Sequence, residues 1–232
     1  HLCFKDGLRP DGNCRACVVQ IEGERALAPS CCRAATPGMV VLVAKDGKVA
    51  YEKAFGYTNF DKKEAVTTNM VYDLASVTKI SATTVAVMKL YEEGKIDLEK
   101  TLGDYISWTK GTDKAPLKIK DILLHQAGLN PFIPFYRQVI DTTTGKPNEG
   151  FFSKQQSQQF GYRVAENLFL RNDYRDTLYK RIATSKLTEQ GKYVYSDNDF
   201  IFLGLIVEAV TNTSLDNYVR TTFYEPLQMM ST

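Results

Sequence analysis

The sequence predicts an α+β chain. A short cysteine-rich segment (residues 1–36) precedes the hairpin of an incomplete antiparallel sheet, and the hairpin precedes a large helical lobe, the two together spanning residues 37–232. Three observations predict this. Cys3, Cys14, Cys17, Cys31 and Cys32 all fall at the start, and no cysteine follows them. Two β-rich runs, Val40-Val41-Leu42-Val43-Ala44 and Val49-Ala50-Tyr51-Glu52-Lys53-Ala54-Phe55-Gly56-Tyr57, flank Asp46-Gly47, a dipeptide suited to a tight hairpin turn. From residue 71 to residue 225 apolar residues recur at helical spacing, which predicts an all-helical lobe there.

Composition narrows the function classes. At 44% hydrophobic and 24% charged residues the chain has ordinary globular character. A net charge of +2 gives no basis for a nucleic-acid or anionic-membrane partner. No apolar run approaches the ~20 residues of a membrane span. His1-Leu2-Cys3-Phe4-Lys5 has neither the basic start nor the apolar core of a signal peptide, and it lacks an initiator Met. The chain therefore reads as a fragment or a processed product.

Taken in order, the first element is the cysteine segment, spaced C-x10-C-x2-C-x13-C through Cys3, Cys14, Cys17 and Cys31. A C-x-x-C pair brings two thiolates to one metal centre, and two further cysteines complete a four-sulfur shell; zinc and an iron–sulfur cluster both fit. A disulfide framework is the alternative, weakened by the odd cysteine count. Asp11-Gly12-Asn13-Cys14-Arg15-Ala16-Cys17-Val18-Val19-Gln20-Ile21-Glu22-Gly23, followed by Leu27-Ala28-Pro29-Ser30-Cys31-Cys32-Arg33, resembles the [2Fe–2S] ferredoxin-like domain that opens NAD-linked formate dehydrogenase α subunits. That resemblance implies a [2Fe–2S] cluster on Cys3, Cys14, Cys17 and Cys31, with Cys32 spare. It also implies an electron-transfer segment of a cytoplasmic oxidoreductase.

Thr36-Pro37-Gly38-Met39 is a turn signal and reads as the junction of two unrelated segments. After the hairpin comes Ser76-Val77-Thr78-Lys79 at the start of a helix whose apolar content is Val85, Val87, Met88 and Leu90, stopped by Glu92-Glu93-Gly94. Ser-x-x-Lys places a hydroxyl and an amine on one helix face. The amine can then help to remove the hydroxyl proton, and free N–H groups of the first turn favour a developing oxyanion. Farther on, Ile119-Lys120-Asp121-Ile122-Leu123-Leu124-His125-Gln126-Ala127-Gly128-Leu129 carries the one histidine besides His1. Two histidines so placed offer no Ser-His-Asp triad, which favours a lysine- or tyrosine-assisted serine, and His125 reads as structural. In the middle of the chain Gln155-Gln156-Ser157-Gln158-Gln159 reads as a solvated helix start. Tyr162, Val164, Ala165, Leu168, Phe169 and Leu170 fit one face of a helix. Tyr193-Val194-Tyr195-Ser196-Asp197 then leads into the apolar helix of Leu205-Ile206-Val207-Glu208-Ala209-Val210.

The hairpin, the Ser-x-x-Lys helix, Gly94-Lys95-Ile96-Asp97-Leu98, the His125-to-Leu129 run and Tyr195-Ser196-Asp197 together resemble the serine β-lactamase and penicillin-binding-protein superfamily. The likeness is to the branch of class C-like esterases and D-alanyl carboxypeptidases, over residues 37–232. It implies an acyl-enzyme mechanism on Ser76, with Lys79 as base partner, Tyr195 as proton relay and Asp197 orienting protons or substrate. It implies no cofactor for the hydrolysis, a small-molecule or peptide acyl substrate, and a place in the periplasm or cell envelope. Asp197 stands where the family commonly has Asn. An ionised carboxylate cannot donate to a substrate carbonyl, so β-lactam turnover is disfavoured. The family's third motif would lie beyond Thr232. A catalytically inert module that binds cell-wall peptides is the third reading.

Overall fold

The computed structural model of the protein describes residues 38–230 and, ahead of them, the backbone of a two-residue strand pair, β1 (Val18–Val19) with β2 (Ala28–Pro29). The calls on Cys3, Cys14, Cys17, Cys31 and Cys32 lie outside the described residues. The chain divides into two compact units, His1–Asp73 and Leu74–Thr232.

In the first unit, β3 (Met39–Lys45) pairs antiparallel with β4 (Lys48–Phe55). The turn is the expected one. Asp46 and Gly47 sit at φ 51° and 72°, both left-handed, which is the twist that lets two residues reverse a right-twisted strand pair. Met39 is buried against Val41 and Phe55, so the base of the hairpin is pinned by its own apolar ends.

The second unit is built around one core. The helix that follows Ser76 opens at Val77, passes through a π-helical stretch, Lys79–Thr84, and continues as α1 (Val85–Glu92). Val87 and Leu90 are buried, whereas Met88 points to solvent. The Gly stop forms as expected, with Gly94 at φ 70°. Short helices α2 (Leu102–Tyr105) and α3 (Ile119–Leu123) contribute Leu102, Ile119 and Ile122. After α4 (Tyr136–Val139) come α5 (Asn172–Thr184), α6 (Asp197–Thr211) and α7 (Leu215–Val219). Phe202, Leu203, Ile206 and Val207 of α6 are fully buried, and they make this helix the centre of the core.

The lobe is not all-helical. β5 (Phe152–Ser153), β6 (Tyr162–Ala165) and β7 (Leu168–Leu170) form a three-stranded antiparallel sheet in the order β5-β7-β6. The residues read as one helical face, Tyr162 to Leu170, are two strands joined at Glu166-Asn167, with Asn167 at φ 51°. A left-handed Asn at a hairpin tip explains the reversal, and the six apolar residues supply strand pairing instead of a helical stripe. The glutamine tract is likewise no helix start. It forms bends between β5 and β6, closed by the Phe160 N–H on Ser157 Oγ at 3.1 Å.

Candidate active site

Ala75 sits in the left-handed region at φ 42°, an uncommon conformation for a residue with a Cβ. It turns the chain so that Ser76 stands immediately before the first helical residue, Val77. The amides of Val77, Thr78 and Lys79 already donate to the carbonyls of Leu74, Ala75 and Ser76 at 2.8–3.1 Å. The expectation that free first-turn amides face an oxyanion therefore does not hold for these three. The tightened first turn is what engages them.

One helical turn on, the Lys79 ammonium donates to Ser76 Oγ at 3.2 Å and to Asp197 Oδ1 at 2.6 Å. It also lies 5.0 Å from the centroid of the Tyr195 ring and 5.9 Å from that of Phe200, both within cation–π range. Burial pulls the amine's pKa down, but interactions with the Asp197 and Tyr195 side chains outweigh it and hold Lys79 above its ordinary value. The four predicted residues, Ser76, Lys79, Tyr195 and Asp197, are thus brought together around one cation.

Tyr195 and Asp197 reach Lys79 from more than a hundred residues away because two loops are laced together. The N–H groups of Thr188, Gly191, Val194 and Asp197 donate to the carbonyls of Gly128, Gln126, His125 and Pro131 at 2.7–3.0 Å. Gly128 has φ 76°, and a Cβ there would sit 2.8 Å from the Thr188 carbonyl oxygen, so the close approach requires glycine. Ser196 caps α6: its Oγ accepts the Asn198 N–H at 3.1 Å and donates to the Asn130 carbonyl at 2.7 Å. Asp197 is then the first residue of the helix, aimed at Lys79.

A cleft of about 330 Å³ opens from this cation, lined by Lys79, Thr83, Tyr179, Asp197, Phe200 and Glu208 among others. At its far end Arg175 of α5 ties Glu208 of α6 at 2.8 Å and Tyr179 at 2.5 Å. Asp199 was not singled out in the sequence. It is buried, and its Oδ2 lies 2.7 Å from Nδ1 of His125. As the third residue of a serine-capped helix it reads as an ordinary capping acid, and nothing local signals its burial. Among the described residues no group of three or more His, Cys, Asp or Glu side chains gathers as a metal site, and no helix is long and apolar enough to cross a membrane.

The family model described as Beta-lactamase matches residues 21–232. A protein of Salmonella schwarzengrund (strain CVM19633) named "Putative D-alanyl-D-alanine carboxypeptidase" is 37% identical over 213 residues, covering 84% of this chain and 43% of that protein. The chain thus spans less than half the length of this curated relative. Among solved structures, FmtA from Staphylococcus aureus superposes with a TM-score of 0.60 at 25% identity, over 83% of this chain and 45% of that one. A class C β-lactamase from Rhodobacter sphaeroides shares the fold with a TM-score of 0.55 at 22% identity, over 83% and 44%. The chain belongs to the β-lactamase family of serine hydrolases and penicillin-binding proteins.

Proposed function

We propose that Ser76 is the acylated nucleophile of a serine hydrolase that removes the terminal residue from D-alanyl-D-alanine peptides. The observation that supports this is the single ammonium of Lys79 set 3.2 Å from a helix-start serine hydroxyl and 2.6 Å from Asp197, with Tyr195 against it. Ser76 Oγ attacks the peptide carbonyl carbon while its proton passes to the Tyr195 oxygen, which enters this step as a phenolate beside the Lys79 ammonium. Lys79, held protonated by Asp197 and Tyr195, steadies the charge on both oxygens. The carbon–nitrogen bond then breaks, and Tyr195 returns the proton to the departing amine. Water hydrolyses the acyl-serine and restores the Ser76 hydroxyl.

The name of the Salmonella relative supports the substrate class. Such peptides belong to the bacterial cell envelope, and we place the protein's work there.

The test is treatment with a fluorophosphonate probe and, separately, with an acyl-D-alanyl-D-alanine peptide. Labelling of the wild type, its loss in Ser76→Ala, and release of free D-alanine are expected. Labelling that survives Ser76→Ala overturns the assignment. Labelling without D-alanine release would favour the inert binding module, a reading that the Lys79–Asp197 ion pair supports by keeping the lysine from acting as a free base.

A further inference from the structure

His125 lies outside the four residues assigned above, yet it is bonded to both sequence neighbours of Tyr195. Its carbonyl accepts the Val194 N–H at 2.9 Å, and its ring Nδ1 accepts the Ser196 N–H at 3.2 Å. The ring packs on Tyr195 itself with centroids 4.7 Å apart, and Phe200 and Tyr193 enclose it at 5.2 and 5.9 Å. The backbone of His125 is left-handed, at φ 56°. In an ordinary capping box the third helical residue would reach back to the N-cap amide. Here Asp199 holds that position, and the imidazole of His125 is interposed between its carboxyl and the Ser196 amide.

This interposition bears on where the proton of the pair sits. Nδ1 faces the Ser196 N–H, so it must present its lone pair. It also faces Oδ2 of Asp199 at 2.7 Å, a distance at which two bare acceptors repel. The arrangement that serves both contacts puts the proton between them on Asp199, with the carboxyl O–H at 2.7 Å and the Ser196 N–H at 3.2 Å sharing the one Nδ1 lone pair. The other carboxyl oxygen, Oδ1, is buried with no hydrogen-bond partner among the described residues, which a neutral acid tolerates far better than a carboxylate. The ionisable groups facing the pair are Lys79 from the first helix, Asp197 from α6, and Tyr193 and Tyr195 from the intervening loop. Burial raises Asp199 to about 8. Burial and the Lys79 charge lower His125, with Asp197 opposing. Both shifts agree with a neutral pair.

We propose that His125 and Asp199 form a proton-sharing latch that positions Tyr195, closed while Asp199 carries the shared proton. Both are positioning residues, and the functional part of the claim rests on Tyr195 being the proton acceptor. The neutral pair holds two protons, one on His125 Nε2 and one on Asp199 Oδ2. Loss of one to solvent leaves an anion whose remaining proton sits on Nδ1, hydrogen-bonded to the carboxylate. Nδ1 then can no longer accept the Ser196 N–H, and the tether next to Tyr195 is broken.

Since His1 and His125 are the two histidines, isotope-labelled-histidine NMR of the full chain isolates the ring. A bare Nδ1 and a protonated Nε2 are expected for His125 at neutral pH, exchanging to protonated Nδ1 near pH 8. In Asp199→Asn the amide N–H donates to Nδ1 on both sides of that transition, so the bare-Nδ1 tautomer should persist through it. Protonated Nδ1 at neutral pH in the wild type, or an unchanged transition in Asp199→Asn, overturns the latch. Fluorophosphonate labelling of Ser76 supplies the functional arm. The wild-type rate should fall above that transition and stay level in Asp199→Asn, while Asp199→Leu should be slowed at all pH by up to ~10²-fold. A rate that falls equally in wild type and Asp199→Asn overturns the positioning role. Absence of any labelling would sink the hydrolase reading, while the NMR arm would still decide the proton's place.

Discussion

At the scale of single residues, charge decides more than position does. Asp197 stabilises Lys79 as a cation across a 2.6 Å contact. Asp197→Asn removes that charge, so the lysine should titrate at lower pH than in the wild type, which NMR of isotope-labelled lysine side chains would register. An unmoved Lys79 titration would mean that Tyr195 alone holds the cation. Asp199 behaves in the opposite sense to a paired surface acid. Its folded value of about 8 lies above the ordinary carboxyl value of ~4, so the folded chain keeps a proton that the unfolded chain gives up. Its contribution to stability is complete below about pH 4 and is lost as pH rises through 8. Urea midpoints measured near pH 5 and near pH 9 should therefore drop more for the wild type than for Asp199→Asn. Equal drops would contradict the buried neutral acid.

At the scale of elements, the lacing of segment 125–131 to segment 188–198 is what builds the site. Gly128→Ala puts a Cβ against the Thr188 carbonyl at a left-handed backbone position, and should cost at least ~1–3 kcal/mol, read by chemical denaturation. It should also slow labelling of Ser76, because the strand of hydrogen bonds carrying Tyr195 shifts with it. A destabilised variant with a full labelling rate would show that the lacing supports the fold but not the site. Gly47→Ala, at the hairpin tip, also meets a left-handed backbone, but nothing lies within 4 Å of the added Cβ. Its smaller cost, about 1 kcal/mol, should leave labelling unchanged. The two variants separate backbone strain from the loss of a close approach.

At the scale of the whole molecule, the second unit depends on α6. Its buried face packs against the helix that starts at Ser76 and against α2, α3 and α7. Phe202→Ala should cost about 3–5 kcal/mol, near the upper end because Phe202 is fully buried and its neighbours come from several elements. Amide exchange should be slowest in α6 and fast in the exposed strand β6. Comparable exchange in the two would mean that the core is not organised around α6.

The hairpin and the two helix starts were legible in the sequence because each depends on local chemistry, whereas Tyr195 and Asp197 could be set beside Ser76 and Lys79 only through resemblance to a family. Asp-Gly fits only a narrow set of turns, Ser-x-x-Lys shares a helix face, and Ser196 caps whatever helix follows it. The strands from Tyr162 to Leu170 were misread because six apolar residues in nine satisfy either period, and the left-handed Asn167 that decides between them is one residue among many. The latch of His125 and Asp199 was out of reach for a different reason. Whether a carboxyl is ionised depends on how much water surrounds it and on which lone pair it meets. Both are set by segments 74 residues apart in the chain and joined only by tertiary packing. By itself the sequence determined the turns, the caps and the Ser76–Lys79 spacing on one helix face. Burial, and the hydrogen bonds between loops, decided which side chains meet at Lys79 and which of them carry charge.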